Sequence, residues 1–167
     1  MIQDPRRRIS GATIYFTVSL FDHRQSLLTD HIALLRSAVR EVRMEHPFDI
    51  DAWVVLPNHM HAVWCLPQGD RAYGQRWGKI KSKFTRALRK GKVVSQQEMR
   101  HATEIYGHAG IWQPRFRELH IRSEDERQAW VRHCWHNPVK HGYVARPQDW
   151  PFSSIHRDMP PRAIAAE

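Results

Sequence analysis

Residues 49–66 contain two runs rich in strand-forming residues, DIDAWVVL and MHAVWCL, separated by Pro57 and Asn58. A short Pro-Asn step between two such runs is a signal for a tight turn. The segment therefore predicts a β-hairpin, with strand two over residues 49–56 and strand three over residues 60–66. This feature commits the chain to a fold that contains antiparallel strands.

The segment before the hairpin predicts one strand and one helix. Residues 13–21 (TIYFTVSLF) are β-branched and aromatic, which favours strand one. A helix is expected over residues 31–45, with Thr29 or Asp30 as its N-cap and Pro47 as its stop. Its apolar residues recur at helical spacing: Ile32, Leu35, Val39 and Val42.

The segment after the hairpin predicts a second helix over residues 71–90, with an apolar face at Trp77, Ile80, Phe84 and Leu88. Residues 91–111 are expected to form a mobile connection with one helical turn at most. A short fourth strand follows at residues 119–122. Ser123 and Glu126 then predict a capping box that opens a third helix, which runs to about His136. Residues 159–167 are expected to be frayed.

The predicted order is β-α-β-β-α-β-α, without internal repeats. It is typical of an α+β fold with a ferredoxin-like antiparallel sheet and helices packed mainly on one face. The 167 residues predict a single domain over residues 1–167, with its core at about 10–158.

The charge of the chain favours a polyanionic partner. Lys plus Arg number 26 against 17 Asp plus Glu, for a net charge of +9; nucleic acid is the usual partner of such a chain, although charge can also serve only to prevent aggregation. The roughly 18 consecutive apolar residues of a membrane span are lacking, and so is a signal-type apolar region. Cys65 and Cys134 have neither disulfide-framework nor zinc-site spacing. A cytoplasmic protein without membrane contact is expected.

His59 and His61 are separated by one residue within strand three. Because side chains alternate along a strand, both imidazoles are expected on one face, with Met60 on the other. Two neutral imidazoles side by side can begin a divalent-metal site. In a chain with 12 histidines the same pattern also fits a half-buried polar strand face.

The run AWVVLPNHMHAVWCLP resembles the central motif of the single-tyrosine HUH transposases, in which U is the hydrophobic residue between the histidines. The resemblance continues, in order and approximate spacing, to the REP-associated tyrosine transposases and covers roughly residues 10–158. The further matching blocks are YFTVSL, RWGKIKSKFTRAL, IWQPRFRELHIRSEDE, HNPVKHGYV and DWPFSSIHRD. The core fold of that family is ferredoxin-like, in agreement with the predicted elements.

The resemblance implies metal-assisted cleavage and rejoining of single-stranded DNA through a 5′-phosphotyrosine link. It further implies that His59, His61 and Asn137 hold a divalent ion, Mg²⁺ or Mn²⁺. The implied partner is single-stranded or hairpin DNA of repetitive extragenic palindromes (REP), bound by a monomer or a homodimer.

The sequence departs from the family at the expected nucleophile, four residues before Asn137, where His133 stands in place of tyrosine. Three explanations are open. The chain can be cleavage-deficient, His133 can itself attack phosphate, or another tyrosine, Tyr106, can substitute. His133 can also serve as an extra metal ligand beside His59 and His61, or simply pack against its neighbours.

Several further residues are predicted to contact DNA. Phosphate contacts are expected from Arg6, Arg7, Arg8, Lys79, Lys83 and Arg86, unless the helix residues only form a solvated surface. Base contacts are expected from Trp112, Gln113 and Arg115, although Trp112 and Phe116 are equally good core residues. His120 is expected near the opening of the histidine site, where it can orient a phosphate or serve a structural role.

Three functions follow from these features. The leading hypothesis is a transposase-like protein that acts on palindromic repeats. The alternative is a domesticated module that binds hairpin DNA or RNA and has lost the nucleophile. The third is an unrelated metal-dependent hydrolase, which needs carboxylates near the histidine pair; Asp49 and Asp51 are the nearest in sequence.

Overall fold

The computed structural model of the chain describes residues 11–95, 97, 100, 104 and 110–159. Arg6, Arg7, Arg8, Tyr106 and the end of the tail lie outside these residues, as does most of the predicted connection. The strands are β1 (Thr13–Ser19), β2 (Asp49–Val55), β3 (His59–Cys65) and β4 (Arg117–Ile121). The helices are α1 (Leu27–Asp30), α2 (Ile32–Glu45), α3 (Tyr73–Lys90), α4 (Glu124–Lys140) and α5 (Ile155–Asp158), with a 3-10 turn at Pro147–Asp149.

The four strands form one antiparallel sheet in the order β2-β3-β1-β4. The predicted hairpin is confirmed, because β2 and β3 pair directly and the Leu56 N–H donates to the His59 carbonyl across the turn at 2.8 Å. This strand order is the ferredoxin-like one. The predicted α+β class is therefore confirmed.

Alternation along β1 divides the protein into two layers. Ile14, Phe16 and Val18 are fully buried on the face that is covered by α2 and α3. Tyr15 points to the other face and packs with residues of α4, among them Val131 and Cys134. Two of the three long helices thus share one face, and α4 covers the opposite one.

Ion pairs join α2 to α3 on the surface of the first layer. The Lys79 ammonium lies 3.0 Å from the Glu45 carboxylate, and the Lys83 ammonium lies 2.9 Å from that of Glu41. The guanidinium of Arg76 is buried near the start of α3 and lies 2.7 Å from the Asp70 carboxylate. The two lysine–glutamate pairs help to set how α3 lies against α2, and the Arg76 pair ties the start of α3 to the loop before it.

The predicted N-cap of α2, Thr29 or Asp30, is wrong. His31 occupies that position and makes no side-chain capping bond. Thr29 and Asp30 belong instead to the short α1, where their side chains contact Ser26. A local capping preference was overridden because the residues before α2 form a helical turn of their own.

The third helix, α4, begins as predicted and ends later. Ser123 Oγ accepts from the Glu126 N–H at 3.2 Å, while the Glu126 carboxylate accepts from the Arg122 N–H at 2.8 Å. The helix continues through Pro138 to Lys140. Proline is tolerated there because only one backbone hydrogen bond is lost, two residues before the last residue of the helix.

The outer edge of β2 is covered by the segment after the 3-10 turn. The Val55 N–H donates to the Phe152 carbonyl at 2.9 Å, and the Ser154 N–H donates to the Trp53 carbonyl at 2.8 Å. The segment thus satisfies edge groups that would otherwise invite pairing with another chain. No helix among the described residues is long and apolar enough to cross a membrane.

Candidate metal and nucleic-acid site

His59 and His61 project from β3 to the face that is covered by α4, and their ring centroids lie 5.0 Å apart. Met60, between them, is fully buried on the opposite face. The shared face predicted from strand alternation is therefore confirmed. His61 is buried, with 7% of its surface exposed, and His59 is half-buried.

The α4 helix brings Asn137 to the same place. Val131, Cys134 and Asn137 recur at helical spacing and are all buried, so this stripe faces the sheet. Asn137 interacts with both imidazoles of β3. The three residues that the family resemblance singles out thus converge from two separate elements.

Burial holds both imidazoles in the neutral form. It lowers the pKa of His61 to about 3, and neighbouring histidines add to the effect. Burial likewise lowers the pKa of His59 to about 4, with a further contribution from His141. Protonation would let each imidazole donate to Asn137, which opposes part of the lowering of both pKa values. Neutral imidazoles are the form that binds metal ions.

Two buried atoms in this cluster lack hydrogen-bond partners among the described residues: Nε2 of His61 and Oδ1 of Asn137. Unpaired buried polar atoms cost free energy unless a ligand or water satisfies them. The described residues hold no group of three or more His, Cys, Asp or Glu suited to a metal. A divalent ion here would therefore be held by two imidazole nitrogens and one amide oxygen, and these donors fit such an ion.

Tyr15 and Thr17 of β1 support the His61 imidazole. The Tyr15 hydroxyl lies 2.7 Å and the Thr17 hydroxyl 3.0 Å from its Nδ1, and the Thr17 hydroxyl donates to Tyr15 at 3.1 Å. Neither residue has a role that was predicted from the sequence. Alternation along β1 puts both on one strand face, and only the register between β1 and β3, in which Thr17 pairs with His61, places that face at the site.

His133 is half-buried one helical turn before Asn137. Its ring packs edge-on against Trp130 at 5.1 Å and against Tyr15 and His61 at 5.8 Å each, between centroids. The described residues hold no group of three or more His, Cys, Asp or Glu suited to a metal, so a role for His133 as a third histidine ligand stays a prediction. The packing interpretation agrees with these contacts.

Three polar residues without a predicted role surround the cluster. His141 is exposed, with its ring centroid 5.0 Å from that of His59. Arg117 of β4 pairs with Thr17 in the sheet register, and its charge acts on the Tyr15 hydroxyl. Lys140 lies near enough to His133 to help burial lower the pKa of that imidazole. Arg117 and Lys140 therefore make the surroundings of the site cationic.

The predicted phosphate contacts on α3 lie on the sheet face opposite the histidine pair. Lys79 and Lys83 are engaged by the glutamates of α2, while Arg86 is exposed. These side chains do not border the histidine site. Lys79, Lys83 and Arg86 could contact DNA only through a second surface, on the sheet face opposite the histidine site.

The predicted base-contacting residues are divided between core and surface. Trp112 is a core residue, 7% exposed, whose Nε1–H donates to the Thr85 hydroxyl at 3.0 Å. Its indole is thus not available to stack on a base in this structure. Gln113 is half-buried, with its amide 3.0 Å from Nε2 of His23, and Arg115 is exposed.

The expected placement of His120 near the histidine site is wrong. His120 pairs with Ile14, whose side chain points to the α3 face, and its ring lies 6.0 Å from that of Tyr73. The sequence showed that β4 alternates. Only the pairing with β1 decides which set of residues faces the site.

The carboxylates considered for an unrelated hydrolase lie at the far end of β3. Asp49 pairs with Cys65, six residues along the strand from His59, which is about 20 Å. Asp51 lies 3.5 Å from the Arg127 guanidinium. Neither carboxylate is placed to complete a metal site with the histidine pair.

Comparisons with known proteins agree with the fold. The chain is 43% identical over 154 residues to the REP-associated tyrosine transposase of Escherichia coli K12, covering 92% of this chain and 82% of that protein. A Haemophilus influenzae protein described in similar terms is 38% identical over 149 residues, covering 89% and 82%. The solved structure of a REP-associated tyrosine transposase bound to a REP hairpin has a TM-score of 0.73 and 42% identity, covering 95% and 85%. No protein-family model matches the chain.

Proposed function

The chain belongs to the family of REP-associated tyrosine transposases. From this premise we propose that it binds REP-type hairpin DNA, and that no residue of α4 acts as a nucleophile to cleave this DNA. The related structure bound to a REP hairpin supports the binding. The net charge of +9 and the cations Arg117 and Lys140 support it as well, since they favour a phosphate backbone at the histidine site.

The proposal that the chain does not cleave DNA rests on the imidazole of His133. This residue stands one turn before Asn137, where the family resemblance implies the attacking tyrosine. Its ring packs among Tyr15, Trp130 and His61. An imidazole there cannot form a phosphotyrosine link, because it has no hydroxyl oxygen to give.

Tyr15 lies within the site but is poorly suited to replace the missing tyrosine. Only 8% of its surface is exposed, and burial raises the pKa of its phenol to about 12. Its hydroxyl is engaged by His61 and Thr17. A nucleophile needs an accessible oxygen that loses its proton readily, and Tyr15 offers neither property.

His59, His61 and Asn137 would hold a divalent ion, Mg²⁺ or Mn²⁺, through their neutral nitrogens and amide oxygen. When bound, such an ion polarises a phosphate and neutralises its charge. Tyr15 and Thr17 keep the His61 ring in place. Arg117 and Lys140 would orient the DNA backbone around it.

The test is incubation of the purified chain with a labelled REP-type hairpin carrying a single-stranded flank, with Mn²⁺. Binding is followed by gel mobility, with a blunt duplex of equal length at the same salt concentration as control. We expect preferential binding to the hairpin, with neither cleavage nor a covalent protein–DNA band. Equal affinity for the duplex would contradict the proposed binding. Robust cleavage would contradict the proposed loss of chemistry and point to a nucleophile such as Tyr106 or His133 itself.

A further inference from the structure

Asn58, in the turn between β2 and β3, is held by three hydrogen bonds. Its backbone carbonyl accepts from the Leu20 N–H at 2.8 Å. Its side-chain Nδ2 donates to the His23 carbonyl at 2.6 Å, and its Oδ1 lies 2.6 Å from Nδ1 of His59. One side chain thus connects the loop after β1 to the first histidine of the pair.

These contacts determine which way the Asn58 amide points. A backbone carbonyl only accepts hydrogen bonds, so the group that faces the His23 oxygen must be the amide nitrogen. The amide oxygen therefore faces His59. Because this oxygen carries no hydrogen, a hydrogen bond of 2.6 Å requires the proton on Nδ1 of His59. In a neutral imidazole, Nε2 is then the atom with the lone pair.

We propose that Asn58 is a positioning residue that fixes His59 in the Nδ1-protonated tautomer and so keeps Nε2 available for a divalent ion. The inference rests on the proposed metal site and adds to it the residue that prepares one of its ligands. A hydrogen bond from the second ring nitrogen to an acceptor commonly sets the tautomer and orientation of metal-binding histidines.

Tertiary contacts hold the His23 end of this connection in place. The imidazole Nε2 of His23 lies 3.0 Å from the side-chain nitrogen of Gln113, and the Gln113 N–H donates to the Ser19 carbonyl at 3.0 Å. The Phe21 N–H donates to the Ile111 carbonyl at 2.8 Å. The acceptor that orients Asn58 is therefore tied to both β1 and the segment before β4.

His61 has a different environment, which makes the role of Asn58 specific. Nδ1 of His61 contacts the hydroxyls of Tyr15 and Thr17, and a hydroxyl can donate or accept. These neighbours hold the ring without dictating its tautomer. Asn58 thus fixes a proton position on His59 that the two hydroxyls beside Nδ1 of His61 leave open.

The tautomer can be tested without metal by long-range ¹H–¹⁵N NMR of the whole chain, in which protonated and unprotonated ring nitrogens have distinct shifts. We expect a protonated Nδ1 and an unprotonated Nε2 for His59. Asn58→Leu removes the acceptor and should shift His59 toward the Nε2-protonated form. Asn58→Asp keeps an acceptor and should preserve the native tautomer, even if its lost bond to His23 lowers stability.

Calorimetric titration with Mn²⁺ alone gives the second readout. Asn58→Leu should weaken Mn²⁺ binding by about 10-fold to 100-fold, while Asn58→Asp should retain most of it. An Nε2-protonated His59 in the native chain, or an unchanged tautomer in Asn58→Leu, would overturn the inference. If the tautomer is as expected but the native chain binds no Mn²⁺, the proposed metal site is wrong while the tautomer assignment stands.

Discussion

The phenolic oxygen of Tyr15 lies 2.7 Å from Nδ1 of His61. The tyrosine that the fold brings into the site thus supports a histidine, while the α4 position expected to carry a tyrosine carries His133. Both residues belong to one aromatic cluster with Trp130. We therefore expect changes within this cluster to affect binding and cleavage separately.

His133→Tyr should introduce metal-dependent cleavage of a REP-type oligonucleotide with a covalent protein–DNA link. The new hydroxyl would stand one turn before Asn137 on a helix that already faces the site. Denaturing gels of labelled DNA measure the link. His133→Phe is the matched control, since it adds a ring without a hydroxyl and should stay inactive. A folded His133→Tyr protein that binds DNA and Mn²⁺ yet never cleaves would show that the site has lost more than its nucleophile.

Tyr15→Phe, made in the His133→Tyr background, should leave the covalent link in place and weaken Mn²⁺ binding by about 10-fold. The change removes a hydroxyl from Nδ1 of His61 but leaves the ring packed against Trp130. Cleavage is measured at saturating Mn²⁺, and affinity by calorimetry. Loss of the covalent link at saturating metal would mean that the Tyr15 oxygen takes part in the chemistry.

Arg117→Ala should weaken hairpin binding and reduce the slope of log affinity against log salt by about one, as expected for one lost phosphate contact. Arg117 is exposed beside Thr17, on the same sheet face as His61. Arg36→Ala is the matched control, because it removes the same charge from the exposed surface of α2 on the other side of the sheet. Equal losses in the two variants would mean that only net charge matters.

The free energy of unfolding should fall as the pH falls below about 6.5. In the unfolded chain His59 and His61 take up protons in this pH range. In the folded chain they stay neutral until the pH approaches their lowered pKa values of about 4 and 3. The unfolded state therefore binds more protons in this window and gains stability. At pH 5 the cost is roughly 2 kcal/mol for the buried His61 and less for the half-buried His59.

Urea unfolding at pH 7.5 and pH 5 measures this dependence. His61→Gln should reduce the difference between the two midpoints, because it removes one of the two resisting imidazoles. His136→Gln changes an exposed histidine of α4 and serves as control. A native protein equally stable at both pH values would contradict the burial of neutral imidazoles.

The sequence by itself determined the local features of the protein. Alternation along one strand placed His59 and His61 on one face, and the Pro57-Asn58 step predicted the hairpin that carries them. The capping box of α4 was equally readable, because Ser123 and Glu126 lie within one turn of each other. Periodicity and capping are properties of neighbouring residues, so a single sequence reveals them.

Only the tertiary structure decided which distant residues reach the histidine pair. The pairing of β1 with β3 and β4 brings Tyr15 and Arg117 to the site and turns His120 away. Burial against the core removes Trp112 from the surface, and the packing of α2 on α3 engages Lys79. Strand register and burial depend on contacts between residues tens of positions apart, which local periodicity does not encode. The lowered pKa values of His59 and His61 follow from the same packing, because the imidazoles are buried between the sheet and α4.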